Sequence, residues 1–283
     1  MLENIKKVGL IAKNEEILVA NYKILNEILS KFDIEILLES KISKAVKKRG
    51  MKLNKIFEKS DFLISLGGDG TLISLCRQSF DYNLPVLGIH AGRLGFLTDI
   101  NLNEISQFFD DFFKGNYEIE EPFMLDVKIV KKNRKILEKI AFNDAVFVRK
   151  NAASIVKIDA FLNEKCFNSY FGDGLIVSTP VGSTGYNMSA GGSIIYPLSN
   201  VFVLSPICSH SLTQRSVVLP KNFKVKLKSE DEILLVIDGQ DCFEMSEISE
   251  VIVGISDKKA KLIRHLNRDY FQILKEKLKW GHF

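Results

Sequence analysis

Three glycines surround an aspartate in the segment Gly67-Gly68-Asp69-Gly70, which follows the apolar run "DFLISL". Glycines at the end of a strand let the backbone approach a ligand closely and adopt positive φ angles. Amide groups at the start of a following helix favour an anionic group such as a phosphate. An aspartate in this position can accept a hydroxyl proton or hold a metal ion. The alternative is an ordinary turn, because Asp and Gly are common turn residues.

A second segment, residues 172 to 192, reads "GDGLIVSTPVGSTGYNMSAGG" and combines glycines with hydroxyl side chains. Many small donors and acceptors among glycines suit the polar edges of a nucleotide. The alternative is a long flexible loop, although the apolar run "LIVST" predicts a strand that anchors it. After Gly182 the chain can open a helix with Ser183 or Thr184 near its N-terminus.

Two shorter polar segments also carry candidate binding groups. In "FNDAV", residues 142 to 146, Asn143 offers a donor and an acceptor and Asp144 only accepts, so the pair can read the edge of a base. A turn is the simpler interpretation of Asn-Asp. In "IDGQD", Asp238-Gly239 predicts a hairpin turn, and Gln240 just beyond it can face a ligand.

Neither glycine-rich segment is one of the common nucleotide-binding loops. No Gly-Lys-Ser/Thr follows Asp69, and the segment does not match the dinucleotide pattern GxGxxG. The four cysteines lie far apart, without metal-ligand, redox or disulfide-framework spacing. The candidate chemistry therefore rests on glycines, hydroxyls, carboxylates and amides.

Strand and helix patterns alternate over the first hundred residues and must position the first segment. Apolar residues at helical spacing predict a helix over 14–31, and we also predict helices over 41–50 and 71–80. Short apolar runs predict strands at "KVGLIAK", "DIEILLES", "DFLISL" and "LPVLGI". This alternation predicts a parallel α/β sheet, which binds ligands beyond the carboxyl ends of its strands.

The pattern changes after the helix-like segment 101–115. Leu125, Val127 and Ile129 alternate with polar residues, a period of two that is typical of strands. The runs "KVKLK" and "EILLVID" predict further strands. The last segment is amphipathic, with Phe271 and Leu274 on one predicted helix face together with Leu278. We expect this helix to pack back on the first domain.

Length and composition indicate a globular protein of one large domain or two moderate ones. Of the 283 residues, 46% are hydrophobic and 26% are charged, and the net charge is +4. This charge is too small to indicate nucleic-acid binding, and the basic segment 41–52 reads as a solvated helix face. The N-terminus resembles neither a signal peptide nor a membrane span. We expect a cytoplasmic protein that binds neither nucleic acid nor membrane.

Four segments together resemble the NAD kinase family: "GGDGT" at 67–71, "GRLGFLTD" at 92–99, "FNDAV" at 142–146 and the segment 172–192. Their order and spacing cover most of the chain. Lipid kinases and phosphofructokinase-like enzymes also carry "GGDG", whereas the long glycine-hydroxyl segment is more specific. The resemblance implies an enzyme that transfers the γ-phosphoryl group of ATP to the 2′-hydroxyl of the adenosine ribose of NAD, giving NADP.

The resemblance also implies an α/β N-terminal domain with a parallel sheet and a β-rich C-terminal domain. With the patterns above, this predicts an α/β domain over 1–115, a β-rich NAD-binding domain over 116–266, and a C-terminal helix within 267–283 that returns to the N-terminal domain. Family members need Mg²⁺ besides their substrates ATP and NAD. They are generally homo-oligomers, which implies a dimer or a tetramer here.

Individual residues acquire roles from the matching motifs. Asp69 is the implied general base and also contacts NAD. The other implied NAD-binding residues are Gly70, Phe96, Asn143, Asp144, Asp173, Thr184, Gly185, Tyr186, Ser189 and Gln240. The phosphates of ATP are assigned to Gly67, Gly68, Gly70 and Thr71.

The chain departs from the commoner family pattern at four positions. Gly185 stands where many members have Ala, Val181 where many have Thr, Asp144 where Glu is commoner, and His90 where Asn is usual. Two alternative functions remain open at this point. A lipid kinase of the diacylglycerol-kinase-like group would need an apolar acyl groove and lack the long glycine-hydroxyl segment. A non-catalytic regulator would bind NAD and form no NADP.

Overall fold

The computed structural model describes residues 2, 4–92, 94–98, 100–266 and 268–281. The chain divides into two compact units. The first unit contains the residues up to Glu121 together with those from Lys261 onward, and the second contains Pro122–Ala260. The chain therefore leaves the first unit once and returns to it once.

The secondary structure follows this division. The first unit begins with the strands β1 (Lys7–Ala12), β2 (Glu35–Leu38), β3 (Phe62–Gly67), β4 (Val86–His90), β5 (Ile100–Asn101) and β6 (Tyr117–Glu120), and the helices α1 (Glu15–Ser30), α2 (Leu53–Lys59), α3 (Asp69–Gln78) and α4 (Ile105–Phe112). The second unit contains β7 (Phe123–Lys131), β8 (Ile136–Ala141), β9 (Asp144–Arg149), β10 (Val156–Leu162), β11 (Lys165–Gly172), β12 (Gly174–Ser178), α5 (Tyr186–Ser189), β13 (Val201–Ile207), β14 (Val217–Pro220), β15 (Lys224–Lys228), β16 (Ile233–Ile237), β17 (Asp241–Glu244) and β18 (Ile248–Lys259). The chain returns to the first unit with β19 (Leu262–His265) and α6 (Tyr270–Leu278).

The sheet of the first unit runs in the order β2-β1-β3-β4-β19-β6, and β5 also pairs with β4. The strands from β2 to β19 in this order are parallel neighbours, whereas β6 pairs antiparallel to β19. The carboxyl ends of β1, β3 and β4 meet at one edge, where Ala12 pairs with Leu66 and Gly67 with His90. The predicted α/β sheet is confirmed, and Gly67–Gly70 lies at its carboxyl edge.

Local sequence explains why helix and strand alternate here. Asn14 precedes α1, and its Oδ1 accepts a hydrogen bond from the Ile17 N–H at 3.0 Å, which satisfies one of the free amides at the helix start. The helical spacing of apolar residues then buries Leu18, Leu25 and Leu29 against the sheet core. The helix predicted over 14–31 is confirmed.

The second unit contains two antiparallel sheets, in the orders β11-β10-β15-β18-β7-β8 and β14-β13-β12-β9-β16-β17. Side chains from both sheets share one hydrophobic core. Leu125, Val127 and Ile129 on β7 are fully buried in it, whereas Asp126 between them is exposed. The period-two pattern therefore predicted the buried face correctly, and the β-rich C-terminal domain is confirmed.

The helix predicted over 41–50 is wrong. A 3₁₀ turn covers only Ser43–Val46, and Lys47 follows with a left-handed φ of 53°. Met51 forms a parallel bridge with Glu39, which keeps the chain extended there. The local helical pattern of this segment did not outweigh the pairing of Met51 with Glu39.

The C-terminal helix α6 belongs to the first unit, as predicted. Its buried residues are Tyr270, Ile273 and Leu274, whereas Phe271, predicted to lie on the buried face, is 66% exposed. The unit boundaries also differ from the predicted ones at 115 and 266, because β6 and β19 pair with each other inside the first sheet. Across the described ranges, no helix combines the length and apolar character that crossing a membrane requires.

Candidate functional site

The segment Gly67–Gly70 joins β3 to α3. Gly68 is the residue before the helix, with φ −107°, and Asp69 is the first helical residue. None of the three glycines has a positive φ, so positive φ, one of the two reasons for glycine suggested by the sequence, does not apply here. The N-terminus of α3, where the helix dipole is positive, does lie here.

Space explains these glycines better than backbone conformation. A Cβ on Gly67 would lie 2.5 Å from Thr71 Oγ1, so internal packing excludes a side chain there. A Cβ on Gly68 or Gly70 would meet no atom within 4 Å. Glycine within a helix costs roughly 0.5–1 kcal/mol relative to alanine, so the described residues give no reason for Gly70. A ligand that approaches the backbone closely would explain both exposed glycines.

The Asp69 carboxylate is held by residues Leu94–Thr98, which we call the 94–98 loop. Asp69 Oδ2 accepts a hydrogen bond from the Phe96 N–H at 2.8 Å. Oδ1 accepts bonds from the N–H groups of Leu97 at 3.1 Å and Thr98 at 2.9 Å, and from the Thr98 hydroxyl at 3.0 Å. A carboxylate oxygen has two lone pairs, so Oδ1, with three donors, is saturated, whereas Oδ2 has one donor. Oδ2 therefore keeps the capacity to accept one further hydrogen bond.

This carboxylate joins two of the four segments found in the sequence. "GGDGT" supplies Asp69, and "GRLGFLTD" supplies the amides that hold it. Arg93 and Asp99 of the second segment lie outside the described residues. The turn interpretation of Asp69 is therefore incomplete, since the side chain reaches well beyond its own turn.

Gly95 leaves free the space that the Asp69 carboxylate occupies. A Cβ on Gly95 would lie 1.9 Å from Asp69 Oδ1 and 2.5 Å from Thr98 Oγ1. The Gly95 N–H donates to Thr98 O at 3.2 Å and closes the loop on itself. The sequence pattern did not single out Gly95, because the contact that requires glycine joins separate elements.

In the second unit, Asp238 organises the segment 142–144. Its Oδ2 accepts a hydrogen bond from the Phe142 N–H at 2.7 Å, and its Oδ1 accepts from Asn143 at 2.7 Å and Asp144 at 2.9 Å. Asp238 and Gly239 have positive φ angles of 50° and 66° and connect β16 to β17, which confirms the predicted hairpin turn. Nothing in the sequence indicated that the Asp238 carboxylate would bind the amides of residues 142–144.

The Asn143 side chain contains an unsatisfied polar atom. Its Oδ1 is buried and has no hydrogen-bond partner among the described residues. A buried acceptor without a donor costs about 1–3 kcal/mol. A donor supplied by a ligand would remove this cost, so Asn143 has the properties expected of a binding residue.

Residues 179–193 form an ordered segment, and the flexible-loop alternative is wrong. A 3₁₀ turn over Val181–Thr184 leads into α5, with Gly185 rather than Ser183 or Thr184 preceding that helix. Asn187 is fully buried. Its Nδ2 donates to Ser183 O at 3.1 Å and Ser193 O at 3.0 Å, and its Oδ1 accepts from Ser205 Oγ at 2.6 Å.

The predicted NAD-binding residues of this unit differ in exposure. Thr184 is buried, and its hydroxyl donates to Val181 O at 3.2 Å. Tyr186, Ser189 and Gln240 are exposed, so their side chains are open to a ligand. These residues keep their predicted roles as hypotheses.

Within this unit, Asp173 lies far from Asn143 and Asp144. It precedes β12, whereas Asp144 pairs with Ser178 at the other end of that strand. At about 3.3 Å per residue, the stretch from Asp173 to Ser178 spans roughly 16 Å. The Asp173 carboxylate instead pairs with Arg149, with Oδ2 3.1 Å from Nη2.

Burial, followed by the nearby negative charge of Asp238, raises the pKa of the Asp144 carboxyl to about 7. An unfolded aspartate has a pKa near 3.9. Between these values the folded state holds a proton that the unfolded state has lost, so the free energy of unfolding falls as pH rises from about 4 to about 7. The difference between the folded and unfolded pKa values corresponds to about 4 kcal/mol in the free energy of unfolding.

The Asp144→Asn variant should lose this dependence, because it has no carboxyl to titrate. We expect the melting temperature of the variant to rise relative to the unmodified protein as pH increases from 5 to 8, measured by thermal melts. Asp126→Asn, which removes an exposed carboxyl on β7, is the matched control and should follow the unmodified protein. A constant difference between Asp144→Asn and the unmodified protein across this range would contradict the raised pKa.

Gly182 and Gly185 give a contrasting pair of variants. A Cβ on Gly182 would lie 2.2 Å from the main-chain oxygen of Asn143, whereas a Cβ on Gly185 would lie 3.2 Å from Gly182 O and 3.7 Å from Asn143 Nδ2. We expect Gly182→Ala to lower the free energy of unfolding by about 3 kcal/mol, the upper end of overpacking costs. Gly185→Ala, whose Cβ meets only the looser contacts, should lower it by less than Gly182→Ala does. Equal melting temperatures of the two variants would refute this placement of Asn143.

Two family models match the chain. The model of the ATP-NAD kinase N-terminal domain matches residues 8–117, and that of the ATP-NAD kinase C-terminal domain matches residues 142–265. The chain is 51% identical to the NAD kinase of Campylobacter jejuni subsp. doylei over 280 residues, which cover 99% of this chain and 98% of that protein.

Solved structures show the same fold. A yeast NADH kinase complexed with NADH matches with a TM-score of 0.86 at 22% identity, covering 99% of this chain and 90% of that chain. An NAD kinase from Archaeoglobus fulgidus in complex with ATP matches with a TM-score of 0.79, also at 22% identity, covering 96% of this chain and 98% of that chain.

Proposed function

This chain belongs to the NAD kinase family, and from that premise we propose which of its residues carry out the reaction. The reaction transfers the γ-phosphoryl group of ATP to the 2′-hydroxyl of the adenosine ribose of NAD and forms NADP. The observation that supports the placement of this step is the Asp69 carboxylate, which is fixed by four hydrogen bonds at the carboxyl edge of the parallel sheet.

The phosphates of ATP are proposed to bind at Gly67, Gly68, Gly70 and Thr71. Free amides and the positive end of the helix dipole favour anions at the start of α3. Gly68 and Gly70 have no side chain where a ligand would approach, and no contact with the described residues requires that absence. Lys13, which the sequence patterns did not single out, follows β1 at this edge, and its Cβ lies 3.2 Å from the position of a Cβ on Gly67.

Asp69 is proposed to orient the acceptor hydroxyl through Oδ2 and to receive its proton. Oδ2 is the oxygen that keeps a lone pair, because it accepts one hydrogen bond whereas Oδ1 accepts three. Phosphoryl transfer has a loose transition state and asks the protein mainly for positioning and charge stabilisation. A carboxylate fixed by backbone amides meets the positioning requirement, and proton transfer can follow late.

NAD contacts are proposed for the residues implied by the family motifs. In the first unit these are Asp69, Gly70 and Phe96. In the second unit they are Asn143, Asp144, Asp173, Thr184, Gly185, Tyr186, Ser189 and Gln240. Asn143 has the strongest independent support, because its buried Oδ1 has no donor among the described residues.

Mg²⁺ is proposed to enter with ATP. The described residues contain no group of three or more His, Cys, Asp or Glu side chains placed to bind a metal ion. Proteins commonly hold Mg²⁺ through one or two carboxylates together with substrate phosphates. Asp69 is the carboxylate nearest to the proposed phosphate site in sequence, and the ion would neutralise phosphate charge there.

Self-association is also proposed. Leu212 is 92% exposed and Tyr196 is 49% exposed, and both belong to the second unit. Apolar side chains of this kind are often covered in an oligomer. Sedimentation of the purified protein would show a dimer or tetramer, and a monomer at micromolar concentration would exclude this proposal.

An assay of ATP-dependent NADP formation tests the proposed function against its alternatives. We expect NADP to form from ATP and NAD, and no phosphorylated product to form from diacylglycerol vesicles. Phosphorylation of the lipid would favour the lipid kinase. Binding of NAD in a calorimetric titration without any NADP formation would favour the non-catalytic regulator.

A further inference from the structure

The carbonyl groups of the 94–98 loop are held as firmly as its amides. Arg264 Nη1 donates to Leu97 O, and Arg268 Nη2 donates to Phe96 O at 3.0 Å. The amides on the other side of this backbone donate to Asp69. The peptide groups of the loop therefore lie between two cations and the proposed catalytic carboxylate.

Glu120 connects the two arginines. Its Oε2 lies 2.9 Å from Arg264 Nε, and its Oε1 lies 3.1 Å from Arg268 Nη1. The side chains are 14%, 2% and 5% exposed for Glu120, Arg264 and Arg268, respectively. Among the described residues, the Glu120 carboxylate thus contacts both guanidinium groups, each of which holds one carbonyl of the loop.

Stability alone is a weak reason for such a cluster. Taking charges out of water costs several kcal/mol per ion, and well-packed apolar residues often replace a buried ion pair without loss of stability. Planar guanidinium groups with two fixed donor directions do, however, hold carbonyl oxygens in defined positions. The arrangement is better explained by the need to place the loop than by the need to stabilise the fold.

We propose that Glu120, Arg264 and Arg268 are positioning residues that set the location of the Asp69 carboxylate through the peptide groups of the 94–98 loop. The inference rests on the proposed role of Asp69. A misplacement of about 1 Å at a reacting group can cost on the order of a hundredfold in rate. Loss of the Glu120 charge removes a contact shared by both arginines, which lets the loop, and with it Asp69, shift.

The test is Glu120→Gln. We expect kcat to fall about tenfold to a hundredfold while KM for NAD and for ATP changes less than about twofold, measured well below the melting temperature. Glu250→Gln is the matched control, because Glu250 also connects two cations, with Oε2 3.1 Å from Lys228 Nζ and 3.8 Å from Lys226 Nζ, and lies in the second unit. Its kcat should match that of the unmodified protein. An unchanged kcat in folded Glu120→Gln would overturn the proposal.

A double variant separates this proposal from the role of Asp69. If Glu120 acts through Asp69, Asp69→Asn combined with Glu120→Gln should be no slower than Asp69→Asn alone, whereas multiplied effects would overturn the proposal. Normal turnover by Asp69→Asn would instead overturn the proposed function of Asp69. If Glu120→Gln does not fold, Arg268→Lys decides the matter, because lysine keeps the charge but cannot bind Glu120 and Phe96 O with one planar group. Unchanged kcat in that variant would also refute the positioning role.

Discussion

The Gly95→Ala variant is expected to fold and to lose turnover by about a hundredfold. The added Cβ would lie 1.9 Å from Asp69 Oδ1 and 2.5 Å from Thr98 Oγ1, so either the carboxylate or the loop must move. Overpacking of this kind costs about 1–3 kcal/mol of stability, which a protein of this size can tolerate. The shift of a reacting group by about 1 Å has the larger consequence, because the rate depends steeply on alignment.

Gly9→Ala is the matched control for this variant. A Cβ on Gly9 would lie 2.4 Å from Ile56 Cγ2 and 2.7 Å from Leu63 Cδ2, a collision of similar severity within the same unit but inside β1. Both variants should lower the melting temperature, and only Gly95→Ala should lower kcat measured on folded protein. Equal kcat values in the two variants would mean that the 94–98 loop does not place the catalytic group.

The Asp69→Asn variant is expected to show the largest loss, with kcat lowered at least about a hundredfold, the lower end of the range for a positioned general base. Asparagine keeps the oxygen that accepts three hydrogen bonds but turns an amide nitrogen toward the Phe96 N–H, whose bond to Oδ2 is 2.8 Å in the unmodified protein. The unpaired amide costs about 1–3 kcal/mol. The variant should therefore be somewhat less stable yet folded.

Asp61→Asn controls for the loss of an amide-binding carboxylate. Asp61 Oδ2 accepts hydrogen bonds from the N–H groups of Lys6 at 2.7 Å and Lys7 at 2.8 Å, in the same unit but before β3. Steady-state NADP formation and calorimetric titration with NAD should be measured on both variants. We expect measurable NAD binding by both and normal kcat only for Asp61→Asn. If Asp69→Asn kept most of its turnover, the proton acceptor would have to be another group.

Local patterns predicted most of the elements that carry the site. The apolar run before Gly67 predicted a strand, the alternation of strand and helix predicted a parallel sheet, and the DG pair at Asp238 predicted a hairpin. Each depends on neighbours in sequence, through periodicity or turn geometry. The failure at residues 41–50 has the complementary cause, since the bridge between Glu39 and Met51 prevents a helix that local spacing favoured.

The contacts that tune the site could not be predicted in this way. Asp69 holds amides of Phe96, Leu97 and Thr98, and Asp238 holds the amides of Phe142, Asn143 and Asp144. Such contacts depend on where the fold brings distant segments together, and a carboxylate in a turn gives no sign of its partner. Gly68 and Gly70 illustrate the same limit, because the sequence suggested positive φ and the structure shows open space instead.

The most direct test of the proposed role of Asp69 is the rate of NADP formation in a single turnover, with enzyme in excess over NAD and with saturating ATP. This measurement isolates phosphoryl transfer from product release. We expect the transfer rate of Asp69→Asn to fall at least about a hundredfold, whereas that of Asp61→Asn should equal the rate of the unmodified protein. Equal transfer rates in Asp69→Asn and the unmodified protein, at matched NAD occupancy, would contradict the claim that the reaction takes place at the Asp69 carboxylate.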